Sequence, residues 1–87
     1  MLRITSKKTS RKKTVIFLEG KICQEWVGEL RSEIETGIKD GRKISLDFSR
    51  VSYIDEDGAK MIKRFPLQKV EKTNCSLFIR TILGIKK

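Results

Sequence analysis

No histidine occurs anywhere in this 87-residue chain. That removes the commonest general base, the commonest metal ligand and the one side chain that ordinarily titrates near neutrality. Cysteine is almost as scarce. Cys23 and Cys75 stand alone, too few for a disulfide framework and without the second pair that a zinc site needs. Both read as small, half-buried apolar residues. Apolar runs are short, none near the roughly 20 residues that cross a bilayer, and Met1-Leu2-Arg3-Ile4-Thr5 opens no signal-peptide apolar region. A cytoplasmic protein is expected. No Gly-rich phosphate loop occurs. Without a nucleophile–base pair, a metal cluster or a phosphate cradle, neither catalysis nor a cofactor or metal is expected.

Charge is what the chain has in abundance: 36% of residues are charged and the net charge is +9, against an apolar fraction of 38%. A single domain over residues 1–87 is expected, with one modest core and no room for a deep substrate cavity. Lys7, Lys8, Arg11, Lys12 and Lys13 crowd one segment, and Lys60, Lys63, Arg64, Lys69 and Lys72 lie along a second. Such a balance raises nucleic acid, anionic membrane and acidic protein together as partners. The aromatic residues Phe17, Trp26, Phe48, Tyr53, Phe65 and Phe78 fall mostly on apolar stripes, and no aromatic-glycine RNA signature interleaves with the lysines. Specific nucleic-acid binding is therefore not expected, and a basic nucleic-acid-binding domain is the least favoured reading. Weak contact with an anionic membrane surface is compatible with the first basic segment.

Leu2-Arg3-Ile4-Thr5 alternates like a half-buried strand, and the polar stretch from Ser6 to Lys13 reads as a hairpin loop. Val15-Ile16-Phe17-Leu18 is a continuous β-branched and aromatic run, expected as a strand buried on both faces within Thr14–Ile22. Trp26, Leu30, Ile34 and Ile38 recur every fourth residue, which predicts an amphipathic helix of about four turns from Gln24, ending at Asp40-Gly41. Ile44, Leu46 and Phe48 alternate with polar residues as a one-faced strand, and a turn-rich stretch follows through Ser52. A second helix is expected from near Asp57, kinked or broken at Pro66, with Leu67 and Val70 resuming its stripe. Cys75-Ser76-Leu77-Phe78-Ile79-Arg80 reads as the last strand. The predicted order is β-β-α-β-α-β in an α/β fold with some parallel pairing.

Asp55-Glu56-Asp57-Gly58 lies where a strand hands over to a helix. Carboxylates there meet the unsatisfied amides and the positive end of the helix dipole, with Asp55 or Asp57 as the cap. Glycine lets another backbone or a partner approach closely. The turn fails as a calcium loop, because its acidic ligands do not continue and Pro66 stands where the closing glutamate belongs.

The wider pattern carries a resemblance. Val15-Ile16-Phe17-Leu18-Glu19-Gly20-Lys21-Ile22 is an apolar run closing on glycine, and a long amphipathic helix follows it. Then come Ile44-Ser45-Leu46-Asp47-Phe48-Ser49-Arg50-Val51-Ser52-Tyr53-Ile54-Asp55 and the acidic-glycine turn. Together these resemble a STAS domain, the fold shared by bacterial anti-sigma-factor antagonists and cytoplasmic segments of sulfate transporters, over about residues 2–80. The resemblance implies a mixed four-stranded sheet. The usual C-terminal helix would be short or missing, since only Thr81-Ile82-Leu83-Gly84-Ile85-Lys86-Lys87 remains. Ile82, Leu83 and Ile85 would cap the core or lie exposed, and exposure would favour a homodimer.

The resemblance also implies a function: docking a protein partner through Asp55, Glu56, Asp57, Gly58, Lys60 and Met61. In the antagonists a partner kinase phosphorylates the serine directly after the aspartate. Here that position is Glu56, so no phosphoacceptor stands at the family site. The implied partner is an anti-sigma kinase-like protein. The alternative is a STAS-like accessory subunit of a lipid-trafficking ABC transporter, whose partner is a transporter ATPase.

Overall fold

The computed structural model describes residues 2–66 and 68–84. Strands β1 (Leu2–Ser10) and β2 (Lys13–Ile22) pair antiparallel across Arg11-Lys12. The segment read as a loop from Ser6 is therefore strand as far as Ser10. Its residues are exposed on both faces, so no alternation of apolar residues marks it. The expectation for β2 also needs correcting. Ile16 and Leu18 are buried, but Phe17 between them is 42% exposed, because the sheet is packed on one face only.

Helix α1 (Glu25–Lys39) lays Leu30 and Ile34 into the core, with Trp26, Val27 and Ile38 half-buried beside them. It ends where its periodicity ends, with Gly41 in the left-handed region at φ 75°. At Gly37 a Cβ would run into the Ile44 side chain, so glycine lets the helix lie close to the sheet.

Strand β3 (Lys43–Ile54) is continuous through the stretch read as turns. It pairs parallel with β2, and the register slips by one residue between Phe17 and Glu19 and again between Gly20 and Lys21. Each slip is a β-bulge, one extra residue on β3. The buried positions accordingly run Ile44, Leu46, Phe48 and then Val51, Ile54, a step of two that becomes a step of three. Asp47 Oδ1 accepts a hydrogen bond from the Ser49 amide at 2.8 Å, satisfying a donor that the first bulge takes off the ladder. The Ser52 hydroxyl lies 3.3 Å from the Gly20 carbonyl at the second.

Helix α2 (Glu56–Arg64) stops at Phe65, before Pro66. The amides of Lys69 and Val70 both donate to the Pro66 carbonyl, and the chain enters β4 (Val70–Thr73), parallel to β3. The last strand thus comes earlier than expected, and Val70 belongs to it rather than to a resumed helix; Leu67 lies outside the described residues. The run expected as that strand is helix α3 (Leu77–Leu83). The Ser76 hydroxyl caps its N-terminus by accepting from the Ile79 amide at 3.2 Å, and left-handed Gly84 closes it. Ile79 and Leu83, four residues apart, are its buried pair. Leu83 and half-buried Ile82 pack on the core rather than lying exposed, which removes most of the argument for a homodimer from these residues; Ile85 is outside the described residues.

The sheet order is β1-β2-β3-β4, antiparallel in its first pair and parallel in the others. The fold is mixed α/β, as expected, with β-β-α-β-α-β followed by a short C-terminal helix. Parallel β2, β3 and β4 all end at one edge, and α1, α2 and α3 each start there at Gln24, Asp55 and Ser76. Among the described residues no helix is long and apolar enough to cross a membrane.

Candidate functional site

At that edge Asp55 is the N-cap of α2, and both of its carboxylate oxygens are in use. Oδ1 accepts from the Gly58 amide at 2.7 Å and Oδ2 from the Gln24 amide at 3.1 Å. Its own amide donates to the Ile22 carbonyl at 3.0 Å, and its carbonyl takes the first helical bond, from Ala59. One residue thus ties the ends of β2 and β3 and the starts of α1 and α2 together. The residue it holds on the α1 side, Gln24, has φ 52°, a conformation non-glycine residues seldom adopt.

Gly58 is buried, and the close approach it permits is to the protein's own chain. A Cβ there would lie 3.0 Å from Ile22 Cγ2 and 3.1 Å from both the Ile22 carbonyl and Asp55 Oδ1. Met61, taken from sequence as a contact residue, faces inward at 5% exposure, because it lies on the α2 stripe with Gly58 and Ile62. Three of the expected site residues remain at the surface: Glu56, Asp57 and Lys60. The Glu56 side chain is 83% exposed and makes an i,i+4 pair with Lys60 at 3.6 Å, a contact worth a few tenths of a kcal/mol at most. The exposed carboxylates of Glu56 and Asp57 in the first turn are stabilised by the helix dipole. Among the described residues no cluster of three acidic or cysteine side chains is placed to hold a metal ion.

A family model, that of the STAS domain, matches residues 4–84. The chain belongs to the STAS family. Two solved structures share its fold. The anti-sigma factor antagonist SpoIIAA in its unphosphorylated form superposes with a TM-score of 0.75 at 20% identity, over 97% of this chain and 84% of that one. The Bacillus cell fate determinant SpoIIAA in the phosphorylated form gives 0.69 at 22%, over 94% and 86%. No curated protein matches.

This STAS domain also exposes apolar residues that the sequence reading assigned to a strand. Leu77 is 79% and Phe78 51% exposed, in the first turn of α3 and hence at the same edge as the start of α2. Ser76 and Gly84 were the signals that could have revealed them, being a helix cap and a helix stop about two turns apart. Phe17 and Tyr53, placed on apolar stripes by the sequence reading, are 42% and 44% exposed on the sheet face opposite the helices.

Asp47, in the Leu46-Asp47-Phe48 motif of this STAS domain, is held by neighbours rather than offered to a ligand. The Asn74 side-chain amide donates to its Oδ2 at 3.0 Å. Partial burial works to raise the Asp47 carboxyl, but hydrogen bonds from Ser49 and Asn74 and the charge of Arg50 outweigh it and hold the group below the ordinary aspartate range. A folded pKa below the unfolded one means stability that is complete above the unfolded value and lost as pH falls through the folded value. Asp47→Asn is therefore expected to unfold at a lower urea concentration than wild type at pH 7, with the gap closing below about pH 4. A gap that stays constant down to pH 2 would rule this role out. Burial also pushes the Cys75 thiol up and the Lys72 ammonium down.

Proposed function

We propose that this STAS domain is a non-enzymatic interaction module of the anti-sigma-factor antagonist type, docking a protein partner at the edge where α2 and α3 begin. The observation that carries the reading is the division of labour in the acidic turn. Asp55 is spent on the Gly58 and Gln24 amides, while Glu56, one residue on, stands 83% exposed on a capped helix start. A rigid, charged helix end costs little entropy to present to a partner. Leu77 and Phe78 supply the apolar anchors that the centre of an interface needs.

Glu56 occupies the position at which the resemblance places a phosphoacceptor serine. Its single carboxylate carries about half the charge of a phosphoserine, which is about −1.5 to −2. The module is accordingly held in one state, and its partner surface is basic or hydrogen-bond donating. A photo-reactive residue at position 57 is expected to trap one protein in cells, whereas the same residue at position 31, on the outer face of α1, is not. Equal yields from the two positions, or no adduct from 57, would remove the turn as the contact. The trapped protein also sorts the two partner classes, since an anti-sigma kinase supports the antagonist reading and a transporter ATPase the accessory-subunit one.

A further inference from the structure

The opposite edge of the sheet, where the parallel strands begin, is built from cations. Each of these strands is entered through a basic residue: Lys12 before β2, Arg42 before β3 and Lys69 before β4. They are far apart in sequence and are brought together by the register, which sets Lys13 against Lys43 and Ile44 against Val70. Backbone hydrogen bonds lock the juxtaposition. The Lys43 amide donates to the Lys12 carbonyl at 2.6 Å, and the Ile44 amide to the Lys69 carbonyl at 2.9 Å. Between them lies a cavity of about 380 Å³, lined by Lys12, Arg42, Lys43 and Lys69 with Ile38, Gly41 and Gln68.

Among the described residues no carboxylate lines it. Glu71 pairs with one of the lining cations, Lys43, at 3.6 Å and with neighbouring Lys13 at 3.8 Å, which leaves Lys12, Arg42 and Lys69 to act on a ligand. Among the described residues Lys12 and Lys69 have no ion pair. Arg42 donates to the Ser10 and Lys13 carbonyls through Nη1 alone, and its remaining guanidinium donors are not used in these bonds. Glu71 offsets the repulsion between opposed Lys13 and Lys43, while Lys12 and Lys69 keep their charges without such a carboxylate beside them among the described residues.

We propose that this cavity binds a clustered phosphate group, either a free polyphosphate or the headgroup of an anionic lipid. Several cations around one concavity match several negative oxygens, and a planar guanidinium among them suits phosphate geometry. The inference does not rest on the acidic turn, which lies at the other edge.

The test is calorimetric titration of the full chain with inorganic tripolyphosphate at about 0.15 M salt, where long-range attraction is screened. Lys12→Gln/Lys69→Gln removes two exposed cations without touching the structural Arg42. It is expected to weaken binding about tenfold or more. Lys21→Gln/Arg31→Gln makes the same change in net charge away from the cavity and is expected to shift binding less than about twofold. Circular dichroism melting checks that both variants fold. Vesicles containing phosphatidylglycerol, against pure phosphatidylcholine, identify the source. Vesicle binding that tripolyphosphate displaces supports the site with a lipid headgroup as its ligand. Tripolyphosphate binding without vesicle binding supports it with a free polyphosphate. No tripolyphosphate binding by wild type, or equal weakening in the two double variants, overturns the proposal.

Discussion

Replacing Asp55 with alanine is expected to cost about 2 kcal/mol of stability, from a lost helix cap and a second orphaned amide. For a domain of this size that is a fall in Tm of roughly 8–16 °C. The cap accounts for about half: the Gly58 amide loses its 2.7 Å acceptor. The rest comes from the Gln24 amide, which loses its 3.1 Å acceptor at a residue already held at φ 52°. Glu56→Ala, one position on, touches only a surface ion pair and is expected to stay within about 0.5 kcal/mol of wild type. The pair of variants separates the structural role of Asp55 from the docking role proposed for the turn. Under the proposed docking role, Asp55→Ala is expected to weaken partner binding and melt early, and Glu56→Ala to weaken partner binding alone. An Asp55→Ala protein with the melting temperature of wild type would show that the bridge between α1 and α2 is not needed to hold the edge.

The larger effect is expected at Phe48. It is 1% exposed and sits where the first bulge begins, so its ring fills the core at the point where β3 changes step. Removing such a ring leaves a cavity, and Phe→Ala in a core costs about 3–5 kcal/mol. A domain of this length has roughly 4–13 kcal/mol in total, so Phe48→Ala is expected to remove from about a quarter to all of its stability. Urea unfolding followed by tryptophan fluorescence gives the measurement, with Trp26 as the reporter. A loss below about 1 kcal/mol would mean that the neighbours collapse into the space.

Much of this fold is legible in the residues, and the places where it is not have one physical cause. Periodicity reports a buried face, so it located α1 through Leu30 and Ile34 and the start of β3 through Ile44, Leu46 and Phe48. It is silent where no face is buried, as from Ser6 to Ser10, and it misleads where bulges change the step, as from Phe48 to Ile54. The exchange of strand and helix after Pro66 has a different origin. Val70 to Thr73 is too short to show alternation, while Cys75 to Arg80 is apolar enough to imitate a strand until its Ser76 cap and Gly84 stop are weighed. At the candidate site the acidic turn was legible as a helix start. That Asp55 spends both oxygens internally was not, since Gln24 is 31 positions away. The burial of Met61 and the exposure of Leu77 likewise follow from helix phase, which needs the helix boundaries first.

The two outermost strands also constrain how copies of this protein can meet. An uncovered strand edge is a template for another chain's strand, and sheets commonly blunt it with charge or brevity. Here β1 carries Arg3, Lys7 and Lys8 along its nine residues, and β4 offers only four residues, two of them Glu71 and Lys72. A second copy adding strand to strand would bring lysines side by side on one edge and find almost no ladder on the other. Charge on one edge and brevity on the other thus disfavour edge-to-edge pairing of copies and keep the sheet four strands wide.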